Sequence, residues 1–528
     1  MIPRIGKSGA PFTPLIRGIL SERHEVSYVC HMEDSTLEIE LKAALAPEDL
    51  EAVRHHALLK AHTEGRAVSR LVRTRYYDTA DRSLERAGIS LRIRRNGKLW
   101  VQTIKQDREI AHALHRVRET DTPLPSCAPD LTRIEDDGLR ADLEALVGGQ
   151  ALEQVFETDV RRTSRLLRDE DSLIDFAIDT GEIRSGGRAL PVNELEFELK
   201  SGSAGHVYAW AGRLLSDRAA QMRVPSKAAR GYRLGQDLDA MPVDRPRSAI
   251  AAHGVGQAAE LAFSAQLAIV AKALADAVHL TLTTDNPEGP HQTRVALRRL
   301  RVLLRTYQPI LPKALVKPLS KTAKTLGQTV APLRDSDVLL LETIGPTLDP
   351  ATPEDMALHD ALKAWGAEIR TRTRQALREA EATGLAIHLL QLAETGDWKP
   401  QGKAKRKRLN APAVQVSRSA LDQTWSTVCS YGKRLDRLSE TARHDLRKDL
   451  KRLRYTLEAS GHDLSAPAFK DWLRQVKSLQ SALGLLNDFA TLAEIDPDLP
   501  AGDARRFEAV RRARLKALSA DLRQKEKA

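Results

Sequence analysis

The stretch Leu37-Glu38-Ile39-Glu40-Leu41-Lys42 decides the reading of the N-terminal half. Apolar and charged residues alternate with period two, the pattern of a half-buried strand, because successive side chains point to opposite faces. Leu37, Ile39 and Leu41 share one face; Glu38, Glu40 and Lys42 share the other. The pattern returns at the far end of the region, where Glu194, Glu196, Glu198 and Lys200 oppose Leu195, Phe197 and Leu199. Between them Asp175 and Asp179 oppose Ile174, Phe176 and Ile178, and Arg92 and Arg94 oppose Leu91 and Ile93. Strands are expected at 36–42, 70–77, 89–95, 99–105, 113–119, 155–163, 173–179 and 192–200, with short helices at 47–60, 139–146 and 204–219. Two arrangements satisfy the alternation. One is a sheet with a single wet face held by cross-strand ion pairs. The other is a barrel whose charged faces line the inside. A lumen with acidic and basic rows suits a metal-bound polyphosphate: carboxylates hold hard divalent cations, and Arg and Lys neutralise phosphate oxygens.

From about residue 255 the period changes to 3.6, and helices are expected at 257–279, 291–306, 314–330, 355–381, 415–437, 441–459, 468–486 and 504–526. A break at 396–413 carries Lys403, Lys405, Arg406, Lys407 and Arg408 beside Pro400 and Pro412, and reads first as a solvated linker. Two helices that open with histidine match at an offset of 153: His291, Arg294, Arg298 and Arg301 align with His444, Arg447, Lys451 and Arg454. The same offset aligns Lys324, Leu326, Leu333 and Asp335 with Lys477, Leu479, Leu486 and Asp488. This indicates duplicated helical bundles. The four polar residues of each copy fall in an arc of roughly 80°, opposite a leucine stripe. A solvated face is the ordinary explanation of such an arc. Solvated faces usually mix signs, however, whereas like charges at i and i+4 repel unless an anion bridges them. A polyanion-binding face is therefore the sharper reading, and two such faces could hold one long chain bivalently.

Charge agrees with that division. The chain has 528 residues and a formal net charge of +11. Residues 1–250 hold 38 basic and 39 acidic side chains; residues 251–528 hold 44 and 32. A basic face attracts polyanions. Nucleic acid is disfavoured as the partner, because aromatics make up only 4% of the chain and no groove-reading motif is present. Hydrophobic residues are 42% and no apolar run of about 20 residues is expected, so no membrane span is anticipated. Three widely separated cysteines, Cys30, Cys127 and Cys429, form no zinc signature and suit a reducing cytoplasm. Residues 1–34, with Pro3, Pro11 and Pro14, read as a disordered extension, and Met32 as the natural start.

In their order, these residues resemble a known superfamily. Glu38-x-Glu40-x-Lys42 resembles the ExExK signature of the CYTH, or triphosphate tunnel metalloenzyme, superfamily. The likeness extends through Tyr76-Tyr77-Asp78-Thr79, Leu91-Arg92-Ile93-Arg94, Trp100-x-x-Thr103-x-Lys105, Phe156-x-Thr158-x-Val160-x-Arg162, Ile178-Asp179-x-Gly181-x-Ile183, Glu194-Leu195-Glu196 and Ser226-Lys227. The helical half resembles the CHAD domain. The implied architecture is α+β: an eight-stranded antiparallel tunnel at 35–235, a linker at 236–252, and an all-α CHAD domain at 253–528. The latter comprises repeat one at 253–395, a basic linker at 396–413 and repeat two at 414–528. The resemblance implies that Glu38, Glu40, Asp179, Glu194 and Glu196 bind Mg²⁺ or Mn²⁺. It implies that Lys42, Arg92, Arg94, Lys105, Arg162 and Lys227 bind phosphate. In His115-Arg116-Val117-Arg118-Glu119-Thr120-Asp121 the family's alternation of Arg with Glu is disturbed, and Arg116 is taken as the phosphate ligand. The implied activity is metal-dependent hydrolysis of inorganic triphosphate, with polyphosphate bound by the helical half and a cytoplasmic location at polyphosphate granules. The alternatives are a granule-tethering protein with vestigial catalysis, and a hydrolase of thiamine triphosphate or a nucleotide.

Overall fold

The computed structural model describes residues 37–222, 224–236, 257–400, 402–432, 437–460 and 492–527, together with 474, 476, 478 and 479. The expected N-terminal extension, most of the linker at 236–252, most of the helix at 468–486, and the repeat positions Lys477, Leu486 and Asp488 lie outside the described residues. These residues divide into two compact units, the strands forming one and most of the later helices the other.

All eight expected strands form: β1 (Leu37–Ala44), β2 (Thr63–Asp78), β3 (Ser90–Asn96), β4 (Leu99–Ala111), β5 (Leu114–Leu124), β6 (Glu153–Arg168), β7 (Leu173–Ser185) and β8 (Arg188–Ser201). They close into a barrel in the order β1-β5-β4-β3-β2-β6-β7-β8, every pair antiparallel. Closure follows from β1, which pairs with β5 through Glu40↔His115 and with β8 through Lys42↔Glu196. It resolves the two readings of the alternation in favour of the barrel.

Much of the apolar surface of the strands points outward and is covered. Leu91, Ile93 and Ile104 pack with Leu139, Leu143 and Val147 of the helix Asp137–Val147. Two further helices matter to the lumen: α1 (Ala204–Leu215) and α2 (Lys227–Gly235). Ser226 caps α2, its Oγ accepting from the Ala229 backbone N–H at 3.1 Å. Gly231 has a positional reason: a Cβ there would lie 2.3 Å from the Phe156 ring, which stacks on Tyr76 with centroids 4.3 Å apart.

The helical unit contains α3 (Ala259–Thr283), α4 (Glu288–Thr306), α5 (Lys313–Thr329) and α6 (Pro353–Glu379). Beyond the next helix, α7 (Ala382–Thr395), come α8 (Ala413–Ser430), α9 (Glu440–Ala459) and α10 (Ala501–Lys527). Three expectations change here. First, α3 is long and apolar enough to cross a membrane by length and composition, with mean hydropathy 1.6, although no such run was expected. It is 61% buried within the protein over that stretch, as the central helix of a bundle would be. Second, the basic break at 396–413 contains a helical turn pair, Lys403–Leu409, rather than a continuous linker. Third, Glu381–Thr395 was assigned by sequence to the first helical repeat. By its contacts it groups with the barrel unit, where the apolar α7 packs on α1.

Candidate active site in the tunnel

The lumen is a cavity of about 430 Å³. Nine of the expected tunnel residues line it: Glu38, Glu40, Lys42, Arg92, Arg94, Lys105, Arg162, Glu196 and Lys227. Asp179 and Glu194 lie deeper, both fully buried. Arg116 does not join them. Residues His115, Val117, Glu119 and Asp121 of β5 face the cavity, so the period of two turns Arg116 to the other side, where it ion-pairs with Glu394. The sequence offered a signal for this: Glu119 and Asp121 share one parity, opposite Arg116 and Arg118. The apolar residues Leu114 and Val117 fall on both parities and mask it.

Two ion-pair clusters occupy the lumen. In the first, strand pairing places Asp179 directly opposite Glu194, and Lys42 opposite Glu196. Facing carboxylates repel, and cations hold them together. Arg162 donates from Nε and Nη2 to Asp179 at 2.8 and 2.6 Å, and from Nη2 to Glu196 at 2.5 Å. Lys227 donates to Asp179 at 2.7 Å, to Glu196 at 2.9 Å and to Glu194. Lys42 reaches Glu40 at 2.8 Å and Glu196 at 3.0 Å, and Arg230 pairs with Glu194. Burial alone would raise the Glu196 carboxyl; Arg162, Lys227 and Lys42 hold it well below the usual carboxylate range. Asp179 is likewise buried, and Lys227 and Arg162 hold it down.

In the second cluster Arg92 donates to Glu119 at 2.9 Å, and Lys105 pairs with Glu119 at 2.6 Å and with Glu38. Burial pushes the Glu38 carboxyl up to about 7 against the pull of Lys105, with the charges of Glu40 and Glu119 adding to the rise. Arg94 makes no ion pair among the described residues; the neighbouring Arg92 charge and burial lower its proton affinity. An arginine held in a cavity beside another arginine, and engaged in no ion pair among the described residues, is suited to an anionic ligand. Sequence reasoning passed over Arg70 at the cavity wall, Arg230 beneath it and Glu119. Arg70 sits opposite Arg162 across the β2–β6 pairing.

The donor set fits a hard divalent cation. One oxygen each of Asp179, Glu194 and Glu196 lies within 4.8 Å of the others, all three residues buried. The expected metal set divides between the clusters, with Glu40 joined to this trio through Lys42 and Glu38 paired to Lys105.

In the helical unit the two repeated basic arcs meet, since α4 packs on α9. Burial and the charges of Arg447, Arg298, Arg454 and Arg294 lower the Lys451 ammonium to about 7. Arg294 presents a buried Nη1 with no hydrogen-bond partner among the described residues. His291 and His444 are both shifted down, chiefly by burial and then by nearby cations. Arg301 is exposed.

The closed antiparallel tunnel lies within residues 36–232, which match the family model of the CYTH domain. Residues 265–495 match the CHAD domain, so the chain carries a CYTH domain followed by a CHAD domain. An inorganic triphosphatase of Haemophilus influenzae is 30% identical over 203 residues, which are 38% of this chain and 55% of that protein. The chain thus spans about half the length of this curated relative. Among solved structures, the CHAD domain of Ricinus communis is 24% identical with a TM-score of 0.41, covering 51% of this chain and 93% of that one. A Hippeastrum protein described as an adenylyl cyclase candidate with a dominant triphosphatase activity is 16% identical with a TM-score of 0.27. It covers 39% of this chain and 99% of that one.

Proposed function

We propose that the tunnel hydrolyses inorganic triphosphate to pyrophosphate and phosphate, and that the helical half binds longer polyphosphate. The observation that carries the first part is the juxtaposition, in one cavity, of buried carboxylates with Arg92, Arg94, Lys105 and Arg162. The cations draw the phosphate oxygens into the lumen and neutralise the charge that develops as the terminal P–O bond breaks. Glu38, Glu40, Asp179, Glu194 and Glu196 would hold Mg²⁺ or Mn²⁺, which supplies Lewis-acid charge and an acidified water. Against the effect of burial, Lys42 holds down the Glu40 and Glu196 carboxyls, and Lys227 those of Asp179 and Glu196. A carboxylate of the β8 row, or Asp179, orients the attacking water in line with the leaving oxygen. The second part rests on the converging basic arcs of α4 and α9 and on the buried Arg294 Nη1, which has no hydrogen-bond partner among the described residues. A cytoplasmic location at polyphosphate granules belongs to the same proposal.

The test is phosphate release from tripolyphosphate, ATP and thiamine triphosphate, each with and without Mg²⁺ or Mn²⁺. Tripolyphosphate is expected to be the preferred substrate, and Glu38→Ala/Glu40→Ala is expected to lose about 10²–10³-fold in rate, the scale of removing a transition-state charge stabiliser. Preference for a nucleotide or for thiamine triphosphate would reassign the substrate. Polyphosphate binding without turnover of any of the three would leave a tethering protein.

A further inference from the structure

The turn joining β4 to β5 has a conformation that its residues do not favour. Ala111 pairs with Leu114, so the connection is the two residues His112 and Ala113, with φ of 52° and 72°. A two-residue turn with both central φ values positive is ordinarily made by Asn-Gly or Gly-Gly, because a Cβ crowds the backbone there. Such strain persists only where the surroundings over-determine it.

Two helices supply that constraint. From α1, the Tyr208 hydroxyl donates to the His112 carbonyl at 2.7 Å. From α7, the Glu394 carboxylate meets His112 Nδ1 at 2.8 Å and also pairs with Arg116. One carboxylate therefore grips the turn and the strand that leaves it. The helix bearing Glu394 is docked on the barrel unit by backbone as well as side chain. Gly384 N–H donates to the Ser216 carbonyl at 3.2 Å, and the Thr383 hydroxyl donates to the Arg218 carbonyl at 2.6 Å.

The gripped strand matters to the site. Immediately after the turn, Leu114 and His115 pair with Leu41 and Glu40 of β1, and Val117 pairs with Glu38. Four residues beyond His115, Glu119 receives Arg92 and Lys105. A slip or fraying of β5 by one residue would turn His115, Glu119 and Asp121 out of the cavity.

We propose that Glu394 is a positioning residue for the tunnel: it holds the strained His112–Ala113 turn and thereby fixes the register of β5 against the strand that carries Glu38 and Glu40. As a statement about catalysis it rests on the triphosphatase reading; as a statement about the strand it does not. Part of the tunnel's active geometry is then supplied by a segment lying within the sequence matched to the CHAD domain.

The test uses the full-length chain carrying Glu394→Ala, Ala113→Gly, or both. In Glu394→Ala, amide exchange over residues 113–119 should accelerate at least about tenfold while exchange in β7 stays at the wild-type rate, the signature of a local opening. The KM for tripolyphosphate should rise several-fold. Adding Ala113→Gly removes the Cβ that makes the turn unfavourable, and should return both the exchange rate and the KM toward wild type. Unchanged exchange and KM in Glu394→Ala would overturn the proposal. So would acceleration in every strand that glycine does not rescue, since that marks general destabilisation. If the wild-type protein does not turn over tripolyphosphate, the functional reading fails, and the exchange pattern alone still decides the role of Glu394.

Discussion

Lys227 opens α2, where the helix macrodipole disfavours a positive charge. It is tolerated there because its ammonium lies among Asp179, Glu194 and Glu196, whose charges raise its proton affinity against the opposing effect of burial. Replacing it with methionine should therefore expose the repulsion it suppresses. In the presence of a chelator, Lys227→Met is expected to lose about 3–5 kcal/mol, the range for removing one partner from a buried ionic cluster. The pH dependence has a definite sign. Asp179 and Glu196 have depressed folded-state values, so in the wild type their contribution is present above the ordinary carboxylate range and lost as pH falls through those values. In the variant the remaining carboxylates repel only while ionised, so its deficit against wild type should shrink on acidification from pH 7 to 4. Thermal unfolding of both proteins across that range measures it, and a deficit that grows on acidification would contradict the assignment. At this scale most of the lumen was legible in the sequence. Residues such as Glu40 and Arg92 sit on strands whose apolar faces are unbroken, Leu37, Ile39 and Leu41 in β1 and Leu91 and Ile93 in β3, so their direction follows from counting by two. Arg116 was misread because β5 carries apolar residues on both faces.

Among whole elements, the eight strands were visible for the same reason, although β2 runs from Thr63 and β6 to Arg168, further than the alternation indicated. The helix α7 was not legible as part of the barrel unit. Nine of its fourteen residues are buried, and a helix so apolar shows no face by which a partner could be inferred. The pairing of α4 with α9 was half legible: the repeat gave two equivalent basic arcs, but only the fold brings them together. Burial, then the charges of Arg447 and Arg454 on its own helix and of Arg298 and Arg294 from α4, lower the Lys451 ammonium to about 7. Polyphosphate should restore that proton by adding negative charge. Binding to the full-length protein should accordingly weaken as pH rises from 6.5 to 8, by at most about tenfold per unit. Lys451→Arg, charged throughout this range, should flatten the profile. An equal slope in wild type and variant would show that Lys451 does not carry the dependence.

For the molecule as a whole, the charge is divided by environment as well as by sequence. Residues 1–250 are almost balanced, and part of that balance lies in the tunnel, where carboxylates and cations are paired in a desolvated lumen. The excess of 44 basic over 32 acidic residues lies in 251–528, where Arg301, Lys448 and the 406–408 run are exposed to solvent. Salt acts differently on the two. Exposed charges are screened over about 8–10 Å at physiological ionic strength, and the binding of a polyanion that releases counterions weakens steeply with salt. Buried pairs are screened much less. The affinity of the full chain for long polyphosphate should therefore fall at least about tenfold between 50 and 300 mM salt, as expected for displacement of several counterions. The KM for tripolyphosphate should change by a smaller factor over the same range, because a short ligand displaces fewer counterions than a long chain and charges in the lumen are screened less than exposed ones. Equilibrium binding to labelled polyphosphate and initial-rate kinetics, run in parallel on one preparation, compare the two slopes. Equal slopes would mean that both ligands use the same exposed surface, and would remove the division of labour between a tunnel that cuts and a helical face that holds.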